Sequence, residues 1–165
     1  MADKYSTLTK ELLHEHFEYR DGELYWKKVH SNRIKVGDVA GYNFRGYKKL
    51  GFLGEEFQAH HIIFFMHYGY VPKMIDHADC NPLNNRIENL REANYFQNNI
   101  NVGLKKSNTS GYKNVHWDKS RQKWMVFFRV NGKRIQVGRF DDKEKAIQIA
   151  RFYRERLHKE FANHG

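Results

Sequence analysis

Between Met74 and Asn99 the chain reads MIDHADCNPLNNRIENLREANYFQNN, and seven of these residues are asparagine. Asparagine is unfavourable in a helix interior and a poor strand former, but its short amide readily bonds nearby backbone groups and so favours turns. Seven of them this close together predict a loop held in one shape by its own polar side chains. The loop runs into a short helix around 92–100.

Ahead of it, 6–17 (STLTKELLHEHF) reads as a short helix with Thr9 or Ser6 as N-cap and Leu12, Leu13 and Phe17 on one side. FEYRDGELYWKK follows, with Asp21-Gly22 between aromatic-rich arms, and reads as a tight hairpin. Glycines at 37, 41, 46, 51 and 54 predict two or three more short strands, with turns at Arg45-Gly46 and Leu53-Gly54. Residues 59–69 (AHHIIFFMHYG) are too densely apolar for a surface strand, and Gly69 suits a helix stop.

Beyond the loop, 101–109 is small, polar and basic and reads as a linker between a first domain at 1–100 and a second at 110–165. Three alternating runs follow at 112–118, 123–130 and 133–140, the last two joined by Asn131-Gly132 as a two-residue turn. Asp141-Asp142 caps a final helix at 143–158, with Ala146, Ile149, Ala150 and Tyr153 at helical spacing. Strand parity puts Val115, Trp117, Val126, Phe128, Val130, Ile135 and Val137 on a face toward that helix. His116, Asp118, Met125, Phe127, Arg129, Arg134 and Gln136 fall on the opposite face, and parity leaves Trp124 unassigned.

Charge separates the two parts. Residues 1–98 hold 13 basic and 13 acidic side chains, whereas 99–165 hold 16 and 6, so the whole net charge of +10 lies in the second part. A compact segment that positive attracts a polyanion, and nucleic acid is the expected partner. A basic amphipathic helix for a membrane surface is not seen. A single cysteine, Cys80, excludes a disulfide within the chain and a Cys-x-x-Cys zinc site. No apolar run approaches the roughly 20 residues that span a bilayer, and MADKYSTLTKELL lacks the apolar block of a signal peptide. A soluble protein of the cytoplasm is the expectation.

Within the asparagine-rich segment, Asp76 and His77 are adjacent, with Asn89 and Asn98 further on. A hard divalent cation takes oxygen ligands such as a carboxylate and an amide carbonyl, which Asp76 and Asn98 would supply. Asn94 and Asn99 compete for the second position. A histidine beside that cation, with a pKa near neutrality, can take a proton from an attacking water. The amide of Asn89 can bond both sides of the loop.

The ordered run Asp76-His77-Ala78-Asp79-Cys80-Asn81-Pro82-Leu83-Asn84-Asn85-Arg86-Ile87-Glu88-Asn89-Leu90-Arg91, with His60 before it and Asn98 after it, resembles the HNH (ββα-metal) nuclease motif. The form is that of phage and intron-encoded homing endonucleases. The resemblance implies His77 as general base, Asp76 and Asn98 as ligands of one Mg²⁺ or Mn²⁺, and Asn89 as loop fastener. It also implies phosphate contacts from Arg86 and His60, whose alternatives are a surface salt bridge and a buried, hydrogen-bonded histidine. His61 departs from the arginine usual after the first histidine.

Residues 109–163 also resemble the plant Apetala/ethylene-response-factor DNA-binding domain, through Ser110-Gly111-Tyr112-Lys113, Trp117, Lys123-Trp124, Arg129, Val137-Gly138, Ala146, Ala150 and Phe161-Ala162-Asn163. That resemblance implies a sheet reading the major groove of double-stranded DNA, with contacts from Lys113, His116, Arg129, Arg134 and Gln136. His116 and Gln136 replace the usual arginine and tryptophan, so the plant sequence preference does not carry over.

The combined expectation is an α+β DNA endonuclease of a bacterial or phage-infected cell. β-Hairpins and a ββα-metal nuclease module come first, then a three-stranded antiparallel sheet packed on one helix. A monomer would nick and a homodimer would cut both strands. The rival readings are a DNA-binding regulator with an inactive nuclease module, and a structured-RNA binder or ribonuclease.

Overall fold

The computed structural model describes residues 4–29, 33–130 and 132–164. The architecture is α+β and divides into two compact units, Met1–Tyr95 and Phe96–Gly165, so the division falls ahead of the 101–109 stretch.

The first unit opens with α1 (Lys10–His16), shorter than expected because the chain turns extended at Phe17. Thr9 rather than Ser6 is the cap, its Oγ1 accepting from the Leu12 amide at 3.1 Å. Strands β1 (Phe17–Arg20) and β2 (Glu23–Trp26) form a hairpin, and β3 (Tyr42–Phe44), β4 (Tyr47–Phe52) and β5 (Glu55–Gln58) form a three-stranded meander. All three hairpin links have two residues, Asp21-Gly22, Arg45-Gly46 and Leu53-Gly54, and each residue has positive φ. That conformation matches the twist of the flanking strands and needs glycine at its second position. Gly22 is needed twice over, since a Cβ there would lie 2.8 Å from the Arg86 amide nitrogen.

Helix α2 (Ala59–Tyr68) is buried along seven of its ten residues and ends at Gly69 in the left-handed conformation. It lies at the centre of a core formed with Leu13, Phe17, Leu24, Leu50 and Phe57. Strands β6 (Ile75–His77) and β7 (Leu90–Glu92) then pair antiparallel across the asparagine-rich loop, with Asp76 opposite Arg91 and His77 opposite Leu90.

The second unit begins within α3 (Tyr95–Asn101). Strands β8 (Val115–Asp118), β9 (Lys123–Val130) and β10 (Lys133–Phe140) form an antiparallel sheet with β9 central, and α4 (Lys143–His158) follows, capped by Asp142. Val115, Val126, Phe128, Ala146, Ile147 and Ala150 make its core. Asn131 of the expected Asn131-Gly132 turn lies outside the described residues; Val130 and Lys133 pair on either side of it.

Three side-chain expectations are corrected. The buried stripe of α4 runs through Ala146, Ile147, Ala150, Arg154 and His158, while Tyr153 is 39% exposed and Ile149 only partly buried. The helix is rotated so that Arg154 points inward, which its backbone carbonyl partners permit. Trp124 packs against the core, whereas Trp117 and Ile135 are exposed because they sit on edge strands beyond the cover of α4. A register slip between Gln136 and Gly138 bends β10 where simple parity would continue. Among the described residues, no helix is long and apolar enough to cross a membrane.

Candidate active site and basic sheet

β6 is too short to owe its place to propensity; burial of Ile75 and the pairing with β7 hold it. Consequently Asp76 and His77, both with polar side chains, are buried at 4% and 7% exposure. Each needs a partner there. The Arg91 guanidinium, directly across the ladder, places Nε and a terminal nitrogen each 2.8 Å from Asp76 Oδ2. His77 Nε2 lies 3.0 Å from Asn85 Oδ1, an amide that is itself 1% exposed. An amide oxygen only accepts, so Nε2 carries the proton and the basic lone pair of His77 is at Nδ1.

The loop between them is braced from within. Asp79 accepts from Asn81 N at 2.8 Å, from Asn89 Nδ2 at 2.9 Å and from Asn84 Nδ2 at 2.7 Å. Although burial acts to raise its pKa, the bonds from Asn84, the Asn81 amide and Asn89 outweigh it and hold the carboxyl below its ordinary value. Asn89 also accepts from Asp79 N at 3.0 Å and donates to Asn84 O at 2.8 Å, so a single amide spans both arms. The β1–β2 hairpin supports the loop from outside, because Ile87 N donates to Tyr19 Oη at 2.9 Å and Gly22 lies close against Asn85 and Arg86.

His60, at the start of α2, reaches the same place from the other side: its ring centroid is 5.0 Å from that of His77. Burial, then the neighbouring His61 and His77, push its pKa down to about 2, so the ring is neutral at physiological pH. Its Nδ1 and the Asn85 Nδ2 are buried without a hydrogen-bond partner among the described residues. His61 is likewise lowered to about 4, chiefly by burial, and is bonded through Nδ1 to the Tyr5 hydroxyl. Arg86 points outward, its guanidinium 3.7 Å from the exposed Asp21 carboxylate. Asp76, His77, His60 and Asn89 thus belong to one neighbourhood of the first unit. Asn98 lies half-buried in α3, in the second unit, and Asn94 is exposed just after β7.

Two residues of this neighbourhood went unread in sequence, Asn85 and Asp79. The Asn84-Asn85 pair eight residues after His77 was a signal, but nothing local distinguishes the amide that faces His77 from the one that braces the loop. No group of three His, Cys, Asp or Glu side chains suited to a metal exists among the described residues. The donors expected from sequence, a carboxylate and amides, are of the kind that suits an oxygen-seeking cation that keeps several waters rather than zinc.

On the second unit the outer sheet face is ordered. His116 stacks on Phe127 at 4.6 Å, and the Arg134 guanidinium lies over the same ring at 4.1 Å, with a terminal nitrogen 3.0 Å from Met125 Sδ. Arg129 is opposite Arg134 and Gln136 opposite Phe127 in the β9–β10 register, and all three polar side chains are exposed. Asp118 is drawn to Arg139 at 2.9 Å. Lys113 does not join this face: its ammonium donates to Asn163 O at 3.0 Å and Asn163 Oδ1 at 2.8 Å.

Against known proteins, the HNH endonuclease family matches residues 57–99. Protein 3.8 of Escherichia phage T7 is 42% identical over 96 residues, which cover 57% of this chain and 78% of that protein. The family match stops at residue 99 and gives no support to the Apetala/ethylene-response-factor resemblance. No solved structure matches the chain significantly.

Proposed function

This chain belongs to the family of phage T7 Protein 3.8 and carries an HNH endonuclease domain over residues 57–99, and from that premise we propose that it hydrolyses phosphodiester bonds of double-stranded DNA. The observation carrying the proposal is the buried Asp76–His77 pair, with Arg91 on the carboxylate and Asn85 on the imidazole.

In this reading His77 is the general base. The bond from Nε2 to Asn85 fixes ring and tautomer, so Nδ1 takes the proton of the attacking water. Asp76 supplies a carboxylate oxygen to one divalent ion, Mg²⁺ or Mn²⁺, with its orientation held by Arg91. When bound, that ion stabilises the charge developing on the departing 3′-oxygen. Neutral His60 donates to a phosphate oxygen, and Arg86 meets the strand at the loop surface, where it is held only by a weak contact with Asp21. Asn89 keeps the loop closed around these groups.

The sheet β8–β10 supplies affinity, in the manner of an Apetala-type domain. Arg134, preset by Phe127, and Arg129 offer paired donors to guanine, Gln136 suits adenine, and His116 lies beside them. Lys113 supports this surface through Asn163. One nuclease domain per chain makes a monomer a nicking enzyme, and cutting both strands requires a homodimer. A phage relative agrees with action in the cytoplasm of an infected cell, and a homing-type role is part of the proposal.

The test is supercoiled plasmid with purified protein and Mg²⁺ or Mn²⁺, with and without EDTA, and with duplex RNA as competitor. Nicked circles that vanish with EDTA and survive RNA competition are expected. Intact plasmid bound tightly would mark a regulator with an inactive nuclease, and preferential RNA binding or cleavage would mark an RNA-directed protein.

A further inference from the structure

A cavity of about 510 Å³ opens within the second unit, beside the outer edge of the sheet. It is lined by Lys105, Lys113, His116, Arg129, Arg154 and His158 among others, and none of its lining residues is acidic. Two of these groups are buried in an arrangement that the fold leaves incomplete. Arg154 is only 6% exposed, yet its guanidinium donates solely to neutral oxygens among the described residues. These are the Asn163 carbonyl, Asn114 Oδ1 at 2.6 Å and the Ile100 carbonyl at 2.8 Å. A buried cation normally has an anion beside it, because desolvation disfavours the unpaired charge. Burial indeed lowers the pKa of Arg154. Next to it His158 is 8% exposed, and its Nδ1 is buried with no hydrogen-bond partner among the described residues.

A cavity that is positive, without carboxylates, and lined by an orphan imidazole nitrogen lacks one thing, an anion with acceptor oxygens. Its position decides which. His116 and Arg129 belong both to the cavity wall and to the sheet face assigned to DNA. We infer that this cavity seats a backbone phosphate of the DNA strand bound on β8–β10, with Arg154 as its buried counter-charge and the His158 imidazole as a hydrogen-bond donor. The inference rests on the DNA-binding reading of the sheet and adds to it a phosphate anchor outside the strand residues. The volume accommodates a phosphate with its attached sugar, so the strand can enter rather than rest on the rim.

The test compares His158→Glu with Gln148→Glu in the full chain, binding a 20-base-pair duplex in EDTA. Both variants add one negative charge to α4, but Gln148 is exposed and is not among the lining residues of the cavity. Glutamate at 158 supplies Arg154 with an internal anion and excludes the phosphate. Affinity is expected to fall at least tenfold, and the salt dependence to lose about one unit of slope, the share of one phosphate. Gln148→Glu is expected to stay within threefold of wild type. Equal losses in the two variants, or a wild-type affinity in His158→Glu, would overturn the inference.

Should His158→Glu fail to fold, wild-type protein decides alone. Inorganic phosphate titrated against the His158 ring signals in NMR should shift them, and duplex DNA should displace it. Ring signals that never respond, or phosphate that duplex fails to displace, would refute the anchor. If duplex still binds and Arg134→Ala weakens it, only the anchor is lost; if duplex does not bind at all, the reading of the sheet falls with it.

Discussion

In the loop from His77 to Asn89, every asparagine amide described above is turned inward: onto Asp79, onto a backbone carbonyl, or onto His77. On the outer face of β8–β10, by contrast, Arg129, Arg134 and Gln136 are exposed, and their order comes from ring faces and cross-strand neighbours. The first arrangement is braced by its own hydrogen bonds and buries Asp76, His77 and Asn85 at its base, which holds the imidazole in one tautomer. The second keeps charged donors in water, where they reach a large polyanion without paying a buried-charge penalty. Polar residues thus play opposite parts in the two units: in one they complete a structure, in the other they await a partner.

That contrast can be broken by mutation, and the largest effect belongs to the inward-turned region. His77→Ala should abolish plasmid cleavage, a loss of about 10²–10⁴-fold or more for a general base, while duplex affinity stays within a few-fold. Wild-type turnover in this variant would remove His77 from the chemistry. Asn85→Ala should lower the single-turnover cleavage rate by about 10–100-fold, the range for losing a group that orients a reactive ligand. It should also cost about 1–3 kcal/mol of stability, because His77 Nε2 loses its acceptor. A rate unchanged at full DNA saturation would show that the imidazole does not depend on that amide.

The outward-turned region should respond in affinity instead. Arg134→Ala and Arg129→Ala are each expected to weaken duplex binding by about 1–3 kcal/mol if they read bases, with cleavage at saturating DNA unaltered. Unchanged affinity in both, measured by fluorescence anisotropy, would leave this face to solvent.

The smallest effect concerns pH. His60 stays neutral in the fold down to about 2, whereas an unfolded imidazole takes a proton near 6.5. The unfolded chain therefore binds more protons as pH falls through 6.5, and stability contributed by neutral His60 declines from there downward. Between about pH 7.5 and 5 the loss should be about 2 kcal/mol from this group. His60→Gln should flatten that dependence in calorimetric melts of the first unit. An equally steep profile in the variant would show that His60 does not carry it.

Much of this molecule is legible in its residues taken locally. Asp21-Gly22, Arg45-Gly46 and Leu53-Gly54 specify three two-residue hairpins because each requires positive φ that glycine supplies without strain. The alternation at 115–140 specifies the three strands, though not the exposure of Trp117 and Ile135 or the bulge in β10, and the asparagines specify a self-braced loop, since the bonds involved span ten residues or fewer. The inward stripe of α4 was misread for the opposite reason. Arg154 is polar, and oxygens of Ile100, Asn114 and Asn163, 54, 40 and 9 residues away, make its burial tolerable.

The sequence by itself determined the two-residue turns of the first unit, the strands of the second, the placement of the positive charge and the identity of the Asp-His pair. Tertiary structure alone decided which asparagine holds His77, that His60 closes on it to 5.0 Å, and that Arg154 and His158 turn inward. Backbone preference and periodicity act between near neighbours and leave a pattern in the chain. The burial of a polar side chain depends on where distant acceptors lie, and that information exists only once the chain has folded.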